Sequence, residues 1–279
     1  MILEKDTNLI LFSDLLPSRH PLIFSDIVDI ISNNNIKFDF VHNTNDIWIR
    51  DYGLIQKNHN TFLKFKYYPD YLRERDENLI TIPESEYYKN IIEYDIIFDG
   101  GNIELFDNGG LLCDKIFKEN PTIGKNKLIT QLETIFEREL VFLPKEPYDP
   151  VGHIDGMCRI VDNVCIVNDY RSTDLSYAKK VDKCLNKITN SFPINEVIYL
   201  PYKHGTNMWS VIGSYINFLS MKNIIIIPIY NIEYDNDVVD IMNNKFKNKQ
   251  IYTIPFNDIS IHGGSIHCIS SQILKLDVI

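Results

Sequence analysis

A chain of 279 residues, 44% hydrophobic, 12% aromatic and 24% charged, is long enough to bury a full core and is neither disordered nor fibrous in composition. Its formal net charge of -10 and pI near 5.2 argue against nucleic acid or an anionic membrane as main partner, and suit a small cationic ligand better. Five cysteines without regular spacing make no disulfide framework, and the first sixteen residues lack a signal-peptide layout, which together point to a reducing cytoplasm.

In chain order, short apolar runs predict strands over residues 9–12, 37–41, 47–49 and 96–98, with a helix over 23–32 between the first two. Further helices are predicted over 125–138, 177–188 and 237–246, alternating with strands over 164–167, 197–200 and 224–229. The last of these is the longest apolar run and is too short to cross a bilayer. Alternation of this kind predicts an α/β protein. No linker-like stretch interrupts the chain, so residues 1–279 are expected to form one domain, and no internal repeat is visible. Glycine pairs at 100–101, 109–110 and 263–264 are placed where strands or turns meet. The pair at 109–110 reads as a plain turn, whereas the other two stand beside titratable residues. Neither GxxxxGK[ST] nor GxGxxG occurs.

Three segments carry residues fit for chemistry. In Gly152-His153-Ile154-Asp155-Gly156 an extended backbone puts His153 and Asp155 on one face, and a carboxylate beside a histidine can hold it protonated for donation to a leaving amine. Residues 265–269 read as a buried strand that follows a glycine turn and carries a thiol, Cys268. On a strand His267 faces away from Cys268, so the group that activates the thiol has to come from elsewhere in the chain. The remaining cysteines, Cys113, Cys158, Cys165 and Cys184, read as small buried hydrophobes. A zinc site from His262, His267 and Cys268 lacks the second pair of ligands that such sites use. The third segment, residues 45–53, concentrates charge around Trp48: Asp51 can take a guanidinium through two parallel hydrogen bonds, while Arg50 can pair with Asp46 or another surface acid.

Taken together, Asn45-x-x-Trp48-x-Arg50-Asp51, Asp99-Gly-Gly-Asn102, Gly152-His153-x-Asp155 and Gly263-Gly264-Ser265-Ile266-His267-Cys268-Ile269 resemble the agmatine deiminase/bacterial peptidylarginine deiminase family of the pentein superfamily. The resemblance extends through residues 213–218, the strand running to Pro228, and Asp237. It implies an α/β fold, a five-bladed propeller of pseudo-fivefold ββαβ units around a narrow central pocket, at about 56 residues per unit. It also implies a deiminase that acts on agmatine, giving N-carbamoylputrescine and ammonia through a covalent thiouronium on Cys268. Deimination of free or peptidyl arginine, amidino transfer on the same fold, and a guanidinium-binding module without turnover are the alternatives. In this reading His153 is general acid and base, Asp51 and Asp155 grip the guanidinium, and Trp48 walls the substrate's aliphatic stem. Asp99 stands where the family commonly has Glu, one methylene longer, and Glu104 is a candidate to compensate. Residues 111–116 match the family's threonine- and glutamate-rich stretch only loosely. Neither metal nor organic cofactor is expected, since cysteine and histidine suffice. The expected partner is a small guanidinium cation, with a homo-oligomer left open.

Overall fold

The computed structural model describes residues 1–73, 76–205 and 207–276. Strand β1 (Leu9–Ser13) leads through helix α1 (Pro21–Asn33) to β2 (Lys37–Val41), which lies parallel to it. Helix α1 buries Ile23, Ile27 and Ile31, a stripe at four-residue spacing that packs with Ile10 and Phe12 of β1. A hairpin of β3 (Ile55–Asn58) and β4 (Thr61–Lys66) then crosses over to β5 (Ile91–Ile97), parallel to β4. The third unit consists of β6 (Glu104–Phe106), β7 (Gly109–Cys113), helix α2 (Lys125–Phe136) and β8 (Glu139–Leu143). The fourth has β9 (Cys158–Val161), β10 (Val164–Asn168), helix α3 (Leu175–Ser191) and β11 (Glu196–Leu200). The fifth has β12 (Leu219–Met221), β13 (Ile224–Ile229), helix α4 (Asp235–Lys245) and β14 (Gln250–Pro255). A final strand, β15 (Ser271–Ile273), returns to pair antiparallel with β1.

Each of the five three-stranded sheets thus has one central strand with an antiparallel and a parallel neighbour; in four of them the antiparallel neighbour precedes it in the chain, and in the first that place is taken by β15, which joins the two ends of the chain. These are five ββαβ units. The repeat shows in topology and not in sequence because the units differ in what fills the crossover. Helix α3 has Asp174 as its cap, accepting from the Tyr177 amide, and a buried stripe of Tyr177, Val181, Leu185 and Ile188. Between β4 and β5 the described residues form only the short helix Asp70–Arg73 and the turn Glu77–Leu79.

Some of the buried groups are charged. Arg159 on β9 has no exposed surface, and a guanidinium there needs partners for its donors. Nε meets Glu104 of β6 at 2.6 Å, Nη2 meets Glu4 at 2.6 Å, and Nη1 donates to the Phe218 carbonyl at 2.9 Å. This arginine ties three sequence-distant segments to β9. No helix among the described residues is long and apolar enough to cross a membrane.

Three expectations about local structure need correction. Residues 47–49 are no strand: Ile49–Tyr52 is a helical turn, closed by the Gly53 amide on the Ile49 carbonyl at 2.8 Å. Ile47 and Ile49 are buried all the same, which is why the run looked like a strand. Residues 266–269 also form a turn, with the Ile269 amide on the Ser265 carbonyl and the Ser270 amide on the His267 carbonyl. The pair Gly109–Gly110 lies inside β7, where an added Cβ would press into Phe106 and Phe192, or into Leu140. Its glycines serve close packing.

Candidate active site

A cavity of about 740 Å³ brings together Trp48, Asp51, His153, Asp155, Asn217 and Cys268. They arrive on four connections of the chain. Asp51 lies on the turn Ile49–Tyr52 after β2. His153 and Asp155 precede β9, with Asp155 on the 3-10 turn Ile154–Gly156. Cys268 lies on the turn before β15.

Asn217 organises that last turn. Its side-chain oxygen accepts from the Ser265 amide at 3.1 Å and the Cys268 amide at 3.2 Å, and its Nδ2 donates to the Asp155 carbonyl at 3.4 Å. Arg50 supports the same turn from the other side: its amide donates to the Cys268 carbonyl at 3.0 Å and its Nε to the His267 carbonyl at 3.4 Å. Of the acids expected to pair with Arg50, Asp46 does not, and a partly buried acid, Glu4, does. The Arg50 guanidinium meets Gln272 and, at 3.3 Å, Glu4, while Asp46 meets Arg19 at 3.6 Å.

His153 is buried between two carboxylates. Nε2 is 2.8 Å from Asp99 Oδ2 and Nδ1 is 3.3 Å from Asp51 Oδ1. Both contacts are complete hydrogen bonds only for the doubly protonated ring. Burial is the largest single effect and lowers its proton affinity, but the Asp51 charge and the contacts with Asp51 and Asp99 together outweigh it, and the ring is raised to about 10. Burial likewise opposes ionisation of Asp99, yet Lys115 and His153 hold that carboxyl at about 2. The carboxylates on His153 are therefore Asp51 and Asp99, and not the neighbouring Asp155.

Asp155 faces the thiol instead. Its Oδ2 is 3.7 Å from Cys268 Sγ and 2.7 Å from His267 Nδ1, and His267 Nε2 is 2.6 Å from Glu4 Oε1. Burial opposes its ionisation, but the His267 hydrogen bond and charge hold it below the usual carboxylate range. Both nitrogens of His267 are thereby used by carboxylates, which removes it from any zinc set with His262 and Cys268. Among the described residues no cluster of three or more His, Cys, Asp or Glu side chains could hold a metal ion. The Cys268 thiol is pushed well up by burial, and then by the Asp155 and Asp51 charges.

The glycine pairs beside titratable residues let the backbone approach these side chains closely. A Cβ on Gly101 would stand 2.6 Å from Asp51 Oδ1 and 2.7 Å from His153 Nδ1. One on Gly264 would stand 2.5 Å from the Trp48 ring and 2.9 Å from Cys268 Cβ. Trp48 therefore borders the thiol, and its ring also packs on the core. Glu104 does not compensate for the shorter Asp99: its oxygens meet Arg159 Nε and the Ile160 amide. Of the other cysteines, Cys113, Cys158 and Cys165 are buried as expected and Cys184 is only half-buried. Residues that sequence reasoning left without a role are Asn217, His267, Glu4 and Lys115. Asn217 lay inside a segment already matched to the family, and Lys115 inside the stretch that departed from it. Glu4 carried no signal.

Comparison with known proteins identifies relatives of the chain. The Porphyromonas-type peptidyl-arginine deiminase family matches residues 22–273. The chain belongs to this family. Among curated relatives, a "putative agmatine deiminase" of Mycoplasma capricolum is 25% identical over 224 residues, 68% of this chain and 60% of the relative. Another so described, of Streptococcus mutans, is 26% identical over 211 residues, 64% of this chain and 57% of its own length. The matched region thus spans about 60% of these relatives. Among solved structures, agmatine deiminase of C. jejuni with substrate bound superposes with a TM-score of 0.75 at 19% identity, covering 98% of this chain and 96% of that one. DDAH of Pseudomonas aeruginosa gives a TM-score of 0.58 at 9% identity, over 96% of this chain and 99% of that one. The fold is accordingly the five-bladed α/β propeller of the penteins.

Proposed function

We propose that this family member is a deiminase that hydrolyses a small alkylguanidine, with agmatine as first candidate, to the corresponding ureido compound and ammonia. What carries the reading is one observation: a thiol, an imidazole held between the Asp51 and Asp99 carboxyl groups, and the side chains of Asp51 and Asp155 converge on a single cavity. Asp51 and Asp155 take the N–H groups of the planar cation and fix its carbon near Cys268 sulfur. Both carboxylates disfavour the thiolate, so a bound cation that neutralises them favours loss of the thiol proton to solvent. Thiolate sulfur then bonds to the guanidinium carbon, and the imidazolium of His153 gives its proton to a departing amino group as the C–N bond breaks. Ammonia leaves and a thiouronium remains. His153, now neutral, takes a proton from water, whose oxygen adds to the carbon. Cleavage of the C–S bond, with loss of the remaining hydroxyl proton to solvent, releases the ureido product and restores the thiolate.

Agmatine takes precedence because the relatives described above carry that activity in their names. The test is a side-by-side incubation with agmatine, free arginine and an arginine peptide, scoring ureido product and ammonia. Product from agmatine in excess of the others supports the reading in full. Folded, reduced protein that converts none of the three refutes it, and amidino transfer to added glycine without ureido product replaces hydrolysis with transfer.

A further inference from the structure

Behind His153 lies a lysine that the proposed chemistry does not use. Lys115 opens the short helix Lys115–Glu119 after β7, and its side chain is 2% exposed. Nζ donates to Asp99 Oδ2 at 2.7 Å, the oxygen that His153 Nε2 also meets. It lies 3.2 Å from Glu119 Oε1, one helical turn on, and 5.0 Å from the centre of the Tyr71 ring. Tyr71 in turn reaches Asp51 Oδ2 at 3.5 Å and stands edge-on to the His153 ring at 5.9 Å. Taking an ammonium out of water carries a large desolvation cost, and a neutral side chain of similar length would pack there without it. Asp99 already has a cationic partner in His153, so pairing Asp99 does not by itself call for a lysine.

We propose that Lys115 is a positioning residue that tunes the proton affinity of His153 through the Asp99 oxygen they share. The inference rests on the reading of His153 as general acid and base. Two carboxylates on one imidazole hold its proton tightly, which hinders transfer to an amine. Lys115 takes up part of the Asp99 charge and so loosens that hold. Glu119 acts in the opposite sense, because it draws Lys115 charge to itself. The groups that meet His153 are Asp51 from the turn after β2, Tyr71 from the β4–β5 crossover and Asp99 from the turn before β6, and Tyr67 borders the same cavity. Lys115 and Glu119 stand behind Asp99, Asp70 lies beyond Lys115, Asp155 is two residues on, and Cys268 borders the same cavity. Among these charges, Asp51 raises the ring and Lys115 lowers it, alongside burial, which works in the same direction as Lys115. Burial and Asp99 push Glu119 up to about 7, so Glu119 is ionised across the range in which His153 titrates.

Two substitutions with opposite signs test the proposal. Protein labelled with carbon-13 in its histidine rings is titrated by NMR, the His153 signal being assigned by its loss in His153→Gln, while kcat/KM for agmatine is followed over the same pH range. Lys115→Met is expected to move the His153 midpoint upward by about one to two pH units, the scale of a unit charge near 5 Å at an effective dielectric constant of 20 to 40. Glu119→Gln is expected to move it downward by a smaller amount, and Lys115→Arg to leave it near the starting value. A merely structural lysine would give no such opposed pair. Midpoints of both variants at the wild-type value, or moving in one direction, overturn the proposal. If Lys115→Met does not fold, Glu119→Gln and Lys115→Arg decide it. Because the NMR midpoint needs no turnover, inactivity toward every guanidinium would refute the deiminase reading and leave the coupling of Lys115 to His153 intact.

Discussion

Gly101 gives the most direct test of the site's geometry. Replacing it with alanine adds one methyl group whose Cβ would stand 2.6 Å from Asp51 Oδ1 and 2.7 Å from His153 Nδ1. Ordinary carbon contacts begin at about 3.4 Å, so each group has to move by roughly 0.7 to 0.8 Å or the turn has to shift. Gly101 does not require a positive φ, so the backbone itself tolerates alanine and the strain is confined to the clash. A displacement approaching 1 Å costs on the order of 100-fold in rate, equivalent to about 2.7 kcal/mol of transition-state stabilisation. Steady-state kcat/KM with agmatine reads the loss, and thermal unfolding separates it from instability. Gly124→Ala is the control: nothing lies within 4 Å of its added Cβ, and it should retain full activity. If Gly101→Ala were as active as the wild type, the Asp51–His153 pair could not be the working geometry.

Cys268→Ser and His153→Ala should each nearly abolish turnover, and the double variant should be little worse than either; losses that multiply across the two would count against a shared mechanism. Cys165→Ser should leave kcat unchanged, since its thiol is fully buried 3.4 Å from Cys158 Sγ and outside the cavity lining; a large loss in folded protein would point to the wrong thiol. Arg159→Met should lower the unfolding free energy by about 3 to 5 kcal/mol in a denaturant titration, because it strands the Glu104 and Glu4 carboxylates. Burial raises the Glu146 carboxyl to about 7, so folding binds a proton there and stability is lost as pH rises from its unfolded value near 4.5 toward 7. Glu146→Gln should therefore be more stable than the wild type at pH 8 by roughly 2 to 3 kcal/mol and should show no such gain at pH 4.

Much of the scaffold was legible because burial on both faces leaves continuous apolar runs. Strands β10 and β13 were placed almost to the residue on that signal. Strands β6, β12 and β15 have three residues each, too few for a period to be read, and they were missed. The same shortness misled at residues 47–49, where alternate isoleucines bury equally well in a helical turn. Cys268, His153, Asp51 and Asp155 were legible as a set, through motifs whose order fits the family, although no one of them was distinctive alone.

What the sequence hid is the wiring between those side chains, and chain topology is the reason. Lys115 comes to share an oxygen of Asp99 sixteen residues away because the β6–β7 hairpin folds the chain back on itself. Glu4 and His267 are 263 residues apart, and they meet because β15 returns to pair with β1, which places the turn that carries Cys268 beside the N-terminal turn. Pairing expected between neighbours in sequence, His153 with Asp155, gives way to pairing set by the ring: His153 turns to Asp51 and Asp99, and Asp155 turns to His267 and the thiol. The pairing that closes the first sheet therefore also brings together the surroundings of Cys268. Any change that loosens β15 from β1 removes Glu4 from His267 and, with it, the support of the Asp155 carboxylate that faces Cys268.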